Sequence, residues 1–313
     1  MPIYAVTLPQ PASADPPPLQ RGPIAVAARL LAEFHTSMNI AGLRAFSGNL
    51  DRFLVFCFLM RTSLSRHARD GTISVHSAAL SLGRPFETVR RHISALIEAG
   101  ICERTATGVT LSAGFWARAD TVVKMRFGHD CFVRLLDDGV AAGIFPVEPR
   151  PAGTTFDVRH GVCAACDLML ALIDSNRAIC PEAIDLAIFS AVLHANGQRF
   201  AADPQAMIDG CRTLLPRHAV RVAEVARALS LPDTTVRRRV APMSGPDGLY
   251  IRSRAGLLIA PRALRPCEHS GPAADARHGS IRLIIKRAVA AGLPLDRPGI
   301  AYRDGRPPSP QID

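Results

Sequence analysis

The sequence predicts a mainly α-helical protein with two small β-hairpins, built from two related halves of one chain. Three observations point there. Apolar residues recur at helical spacing through most of the middle of the chain. Short alternating stretches bounded by glycine occur at 101–111 and 249–260. The chain also resembles itself: residues 73–82 match 222–231 at a separation of 149 residues. After a turn whose length differs by two residues, 87–93 matches 234–240 around a shared Thr-Val-Arg-Arg. Residues 132–144, ending Gly-Val-Ala-Ala-Gly-Ile, match 281–293, ending Ala-Val-Ala-Ala-Gly-Leu, again at 149.

In chain order, residues 1–22 form a proline-rich tail expected to be disordered. Residues 50–63 are apolar on nearly every face, as in the central helix of a small bundle, and 185–192 are their counterpart. Residues 74–81 make a short amphipathic helix, followed by a turn at 82–84 and by Pro85, which suits the first position of a new helix. At about 100° per residue, Val89, Ile93, Leu96 and Ile97 share one face, while Thr88, Arg91, Ser94 and Ala95 point away. Gly100 fits a left-handed helix end, and 101–104 with 109–111 reads as a hairpin. The second half repeats this with a helix at 222–230, a turn at 231–233, and a helix that turns Val236, Val240 and Met243 inward and Thr235 and Arg238 outward. Asp233 suits the N-cap, and a hairpin at 249–260 has its tip at 253–256. Pro242-Met-Ser-Gly245 replaces the Glu-Ala-Gly that ends the first copy's helix, so the second is expected to be shorter or bent. The halves are 23–150 and 151–313, divided in the proline-rich 146–153. Each is long enough to bury its own core, with a flexible tail from about 303 to 313.

A short helix, a Leu-Ser-Leu turn, a Thr-Val-Arg-Arg helix, Leu-Ile-Glu-Ala-Gly-Ile and a hairpin together resemble the bacterial winged helix-turn-helix regulators. The resemblance covers about 40 residues in each half. It implies two tandem winged helix-turn-helix domains whose second helices enter the major groove of double-stranded DNA while the hairpins, as wings, touch the flanking backbone. Thr88, Arg91, Ser94, Thr235 and Arg238 then face base edges, and Thr234 belongs to the same DNA-binding set. Arg90, Arg104, Arg237, Arg239, Arg252 and Arg254 are placed near phosphates, where they set affinity and orientation. A transcriptional regulator is the implied function. A tandem winged-helix replication initiator on origin repeats is the alternative within nucleic-acid binding, and a protein-docking adaptor is the alternative outside it. Residues 132–142 and 281–291 are candidate surfaces for a homodimer or for packing between the halves.

Charge and composition agree with an anionic partner. The formal net charge is +10, and of 37 basic residues only Lys124 and Lys286 are lysines. A guanidinium fork suits phosphate and the guanine edge, although a GC-rich genome also writes arginine for lysine, so position carries more weight than number. The longest apolar run, 53–60, is too short to span a bilayer, and the N-terminus lacks a basic region followed by an apolar one. With eight cysteines at low density, a cytoplasmic, nucleoid-associated protein with reduced thiols is expected. Cys163 and Cys166 form a Cys-x-x-Cys pair near His160 and Cys180, but helical spacing sets both among Ala, Leu and Met, the setting of inert buried thiols. His76, His92, His129 and His218 are scattered. No phosphate loop, nucleophile elbow or His-Glu-x-x-His helix is present, so neither cofactor nor enzymatic activity is expected. An effector pocket between the helices around 116–128 and 161–175 is compatible with the pattern, with no ligand indicated.

Overall fold

The computed structural model describes residues 23–65, 71–145, 156–205, 214–264 and 272–313. It is mainly helical with two small antiparallel hairpins. The first half contains α1 (Pro23–Ala45), α2 (Leu50–Leu64), α3 (Val75–Leu82), α4 (Phe86–Glu98), β1 (Cys102–Arg104), β2 (Val109–Leu111), the single turn α5 (Ala113–Trp116) and α6 (Ala119–Ala141). The second contains α7 (Val158–Asn176), α8 (Ala183–Ala201), α9 (Val222–Ala228), α10 (Asp233–Val240), β3 (Tyr250–Ser253), β4 (Gly256–Ile259) and α11 (Pro272–Ala290).

Local chemistry sets these boundaries. Asn49 caps α2 by accepting from the Arg52 N–H at 2.9 Å, and Ser74 caps α3 by accepting from the Ser77 N–H at 3.0 Å. Helix α3 ends at Gly83, whose φ of 58° is left-handed, and Pro85 stands just before α4 instead of in its first turn. Asp233 is not a cap either. It opens α10 behind Pro232, and its carboxylate is taken by Arg237. As expected, α10 is short, giving way to a 3-10 turn at Ala241–Met243, where Pro242 supplies no N–H to continue the helix.

Each hairpin gains a third strand-like partner. Ile73 and Val109 exchange backbone hydrogen bonds of 3.0 and 2.9 Å, and Val220 and Leu257 exchange bonds of 3.0 and 2.7 Å. That close approach needs glycine at the hairpin. A Cβ on Gly108 would lie 2.3 Å from the Ile73 carbonyl oxygen, and one on Gly256 would lie 2.3 Å from that of Val220.

The two halves therefore repeat in order, but in a register different from the one the sequence match gives. Helices α3 and α9 begin at 75 and 222, and α4 and α10 at 86 and 233, a separation of 147 in both cases. The match of Leu-Ser-Leu to Leu-Ser-Leu is two residues out: counted from the left-handed residues Gly83 and Ser230, the next helix begins three residues on in both halves. Burial decides the register: Ala78, Ala79 and Leu82 face the core in one half, and Val225, Ala226 and Leu229 do so in the other.

Packing between the halves is reciprocal. Helix α1 lies on α8 and α2 lies on α7, so the first long helix of each half covers the second of the other. Helix α6 packs on both α1 and α7, and α11 packs on α7. One continuous core results, in place of one core per half. Phe132, Val133, Leu135 and Leu136 of α6, with Ile284, Ile285, Ala288 and Val289 of α11, are buried within the chain, so these faces serve packing inside it. The expected tail at 1–22 and the division at 146–153 lie outside the described residues. The expected flexible end at 303–313 is instead tied down along α6 and α8, with Ile312 buried. No helix among the described residues is long and apolar enough to cross a membrane.

Candidate nucleic-acid interface

In each half the second short helix shows the core a strip of apolar side chains: Val89, Ile93 and Leu96 on α4, Val236 and Val240 on α10. The polar face follows from that rotation. On α4, Glu87, Arg90 and Arg91 are exposed, while Thr88, Ser94 and Ala95 are half-buried. On α10, Thr234, Arg237 and Arg238 are exposed, while Thr235 and Arg239 are half-buried.

The Arg-Arg pairs are organised alike. Arg90 makes two hydrogen bonds to the Glu87 carboxylate, at 2.8 and 2.6 Å. That hydrogen bonding holds the Glu87 carboxyl below its ordinary pKa and raises Arg90. Arg237 is held in the same way by Asp233, one turn earlier, at 2.5 Å. The second arginine of each pair, Arg91 and Arg238, is exposed and makes no hydrogen bond or ion pair among the described residues. The third position turns inward. His92 is buried near Asp51, and burial lowers its pKa against the pull of that carboxylate. Its counterpart Arg239 lies 3.7 Å from Asp185, which is in the first turn of α8 as Asp51 is in the first turn of α2. Burial raises the Asp185 pKa against the pull of Arg239. Arg239 is therefore directed at Asp185 and half-exposed, unlike its exposed neighbour Arg238. Thr88 also departs from expectation, lining a small cleft with Asp51, Arg84 and Arg177.

The hairpins carry Arg104 beside the first tip and Arg252 and Arg254 around the second, all exposed and without an ion pair among the described residues. Three features escaped the sequence reading. Leu80 and Phe86 are exposed, 70% and 48%, beside the α3–α4 turn. Arg84, in that turn, joins the halves by bonding Asp51 at 3.1 Å and Glu182 at 2.9 Å. Arg177 donates to the Leu82 carbonyl at 3.0 Å. Apolar side chains at helix ends outside the buried stripe give no periodic signal, and a pairing across about 100 residues has no local one.

Cys163 is half-buried and Cys166 buried, on α7. Burial pushes the Cys163 thiol up to about 12. A hydrogen bond with Cys57, then burial, pushes Cys166 up, so both stay protonated and poor as ligands. No group of three or more His, Cys, Asp or Glu among the described residues has the arrangement to hold a metal. Searches against protein-family models, curated proteins and solved structures found no significant match to this chain.

Proposed function

We propose that the chain is a sequence-preferring binder of double-stranded DNA that acts as a transcriptional regulator, with two tandem winged helix-turn-helix units. One observation carries this reading: Arg91 and Arg238 stand at the same place on α4 and α10, exposed and uncommitted, while their neighbours Arg90 and Arg237 are pinned by a carboxylate one turn back. A free, long, five-donor side chain at the middle of a short exposed helix suits bidentate contact with guanine in the major groove. Arg252 and Arg254 on one hairpin and Arg104 on the other supply positive charge for flanking phosphates. DNA as partner puts the protein's place of action at the nucleoid.

Selection of sheared genomic DNA on the purified chain tests the proposal, followed by salt titrations of the best fragment with wild type, Arg91→Ala and Arg238→Ala. Enriched fragments sharing a motif, a steep fall of affinity with salt and a loss of roughly 1–3 kcal/mol for either variant are expected. Absence of enrichment, or affinity unaffected by both substitutions, overturns it. An origin of replication among the best fragments, in place of promoters, favours the initiator role.

Leu80 and Phe86 favour a second reading for the first half alone, as a protein-docking surface, since two exposed apolar side chains flank its helix turn. Under that reading Arg238→Ala weakens DNA binding while Arg91→Ala does not.

A further inference from the structure

We propose that the first half holds a binding site for a small amphipathic anion, with an apolar, aromatic-sized body and one acidic group. The site is a half-open cavity of about 710 Å³ lined by α1, α2, α5, α6 and α7 and by residues 308–311. Protein interiors carry few voids larger than a water molecule, and ligand pockets run from about 300 to 1,000 Å³, so its size sets it apart from a packing defect. The walls are apolar and rich in rings and sulfur, among them Met38, Phe56, Met60, Phe115, Met125 and Phe127. Along one wall Phe46 and Phe56 lie 5.1 Å apart between ring centres, and Phe56 meets Phe115 edge-on at 5.7 Å, a ladder that offers both ring faces and ring edges to a flat guest.

Charge gives the orientation. The lining residues include three cations, Arg44, Arg118 and Lys124, and no Asp or Glu. Arg118 and Lys124 share a single carboxylate, that of Asp120, so one positive charge is left over there. Arg44 is exposed and makes no ion pair among the described residues. An apolar cavity whose charged groups are cations accepts the apolar body of an anion and holds its acid at the mouth, whereas a cationic guest meets repulsion there. The proposal concerns binding alone and does not depend on whether the chain binds DNA.

The test titrates the full chain with anilinonaphthalene sulfonate and with its neutral parent, phenylnaphthylamine, which share one apolar body and differ by the anion, reading fluorescence. Wild type is expected to bind both saturably at one site. Arg44→Glu is expected to weaken the sulfonate about tenfold while the parent stays within about twofold, and Ala41→Trp, which puts an indole where the guest's rings would lie, is expected to remove both. Melting curves check that each variant folds. If Ala41→Trp does not fold, Ala45→Trp at the mouth replaces it with the same expected loss. Equal loss of both probes in Arg44→Glu, unchanged sulfonate binding in that variant, or unchanged binding in the folded tryptophan variant overturns the proposal.

Discussion

His35 carries a consequence of burial that can be measured. It is 1% exposed on α1, shares a hydrogen bond of 2.9 Å between its Nδ1 and the Ser190 hydroxyl of α8, and leaves its Nε2 without a partner. Burial lowers its pKa to about 3. The folded chain therefore keeps it neutral while the unfolded chain protonates it near 6.5, so the unfolded state binds the extra proton between those values. Stability is present above pH 6.5 and is lost as the pH falls toward 3, at roughly 1.4 kcal/mol per pH unit for each such group. Urea unfolding between pH 6.5 and 5 should show this slope, and His35→Leu should flatten it by one proton's worth. An unchanged slope would assign the loss to other groups, such as His129 and His194, which burial also lowers. The same scale separates the paired arginines. Under the proposed function, Arg91→Ala and Arg238→Ala should cost DNA affinity roughly 1–3 kcal/mol, whereas Arg90→Ala and Arg237→Ala, whose charge is already answered by a carboxylate, should cost under about 1 kcal/mol in the same salt titrations. The sequence made legible which arginines lie on the two helices and not which are committed. Commitment depends on whether a carboxylate one turn back has the right rotamer, and in the case of Arg239 on Asp185 in a different helix.

Among the elements, the helices, both hairpins and the glycine-ended turns were legible because each has a local cause: apolar periodicity, a cap, or a residue able to take positive φ. The register between the halves differs from the one the sequence match gives because a four-residue identity, Ala-Leu-Ser-Leu, outweighs burial there, although Gly83 and Ser230 occupy the same left-handed turn, at φ 58° and 52°. Serine is strained there by about 1–2 kcal/mol relative to the right-handed region, against an entropic cost for glycine of roughly 0.5–1 kcal/mol. Ser230→Gly should thus stabilise the chain by about 0.5–1 kcal/mol in urea unfolding, and a destabilised variant would show that the serine side chain has a role that the turn geometry does not reveal. The hairpins allow a complementary experiment on sterics without φ. Gly108 has an ordinary φ, yet an added Cβ would meet the Ile73 carbonyl oxygen at 2.3 Å. Gly108→Ala should cost about 1–3 kcal/mol because backbone has to move. At Gly100, φ is 67° with nothing within 4 Å of an added Cβ, and alanine should cost only the left-handed penalty of about 1–2 kcal/mol.

At the scale of the whole molecule, internal similarity announced two halves but not their reciprocal packing. A helix that is apolar all round, such as α2, must be covered, and the pattern does not say by which partner. The C-terminal segment was read as flexible from its proline and polar content, and composition misled for an identifiable reason: its anchors are backbone groups. The buried Asp130 carboxylate accepts the Arg303 and Asp304 N–H groups at 2.8 and 2.9 Å, the Ala301 carbonyl takes His129 Nε2 at 2.8 Å, and the Pro310 carbonyl takes His194 Nε2 at 2.8 Å. Arg306 adds ion pairs to Asp137 and Asp138. Deleting 303–313 should therefore behave unlike the trimming of a loose end. It leaves Asp130, only 2% exposed, without its two backbone donors, and an orphaned buried charge costs about 3 kcal/mol or more. Asp130→Asn in the full-length chain should be destabilising, since it weakens two charge-assisted bonds, yet in the truncated chain the same substitution should restore part of the lost stability by removing the unpaired charge. That opposite sign in a double-mutant cycle, read by urea unfolding at pH 7, is the signature of a tail held by Asp130. Equal effects in the two backgrounds would mean that the tail is held by its other anchors, the Arg306 ion pairs, the Pro310 carbonyl and buried Ile312, without a contribution from Asp130.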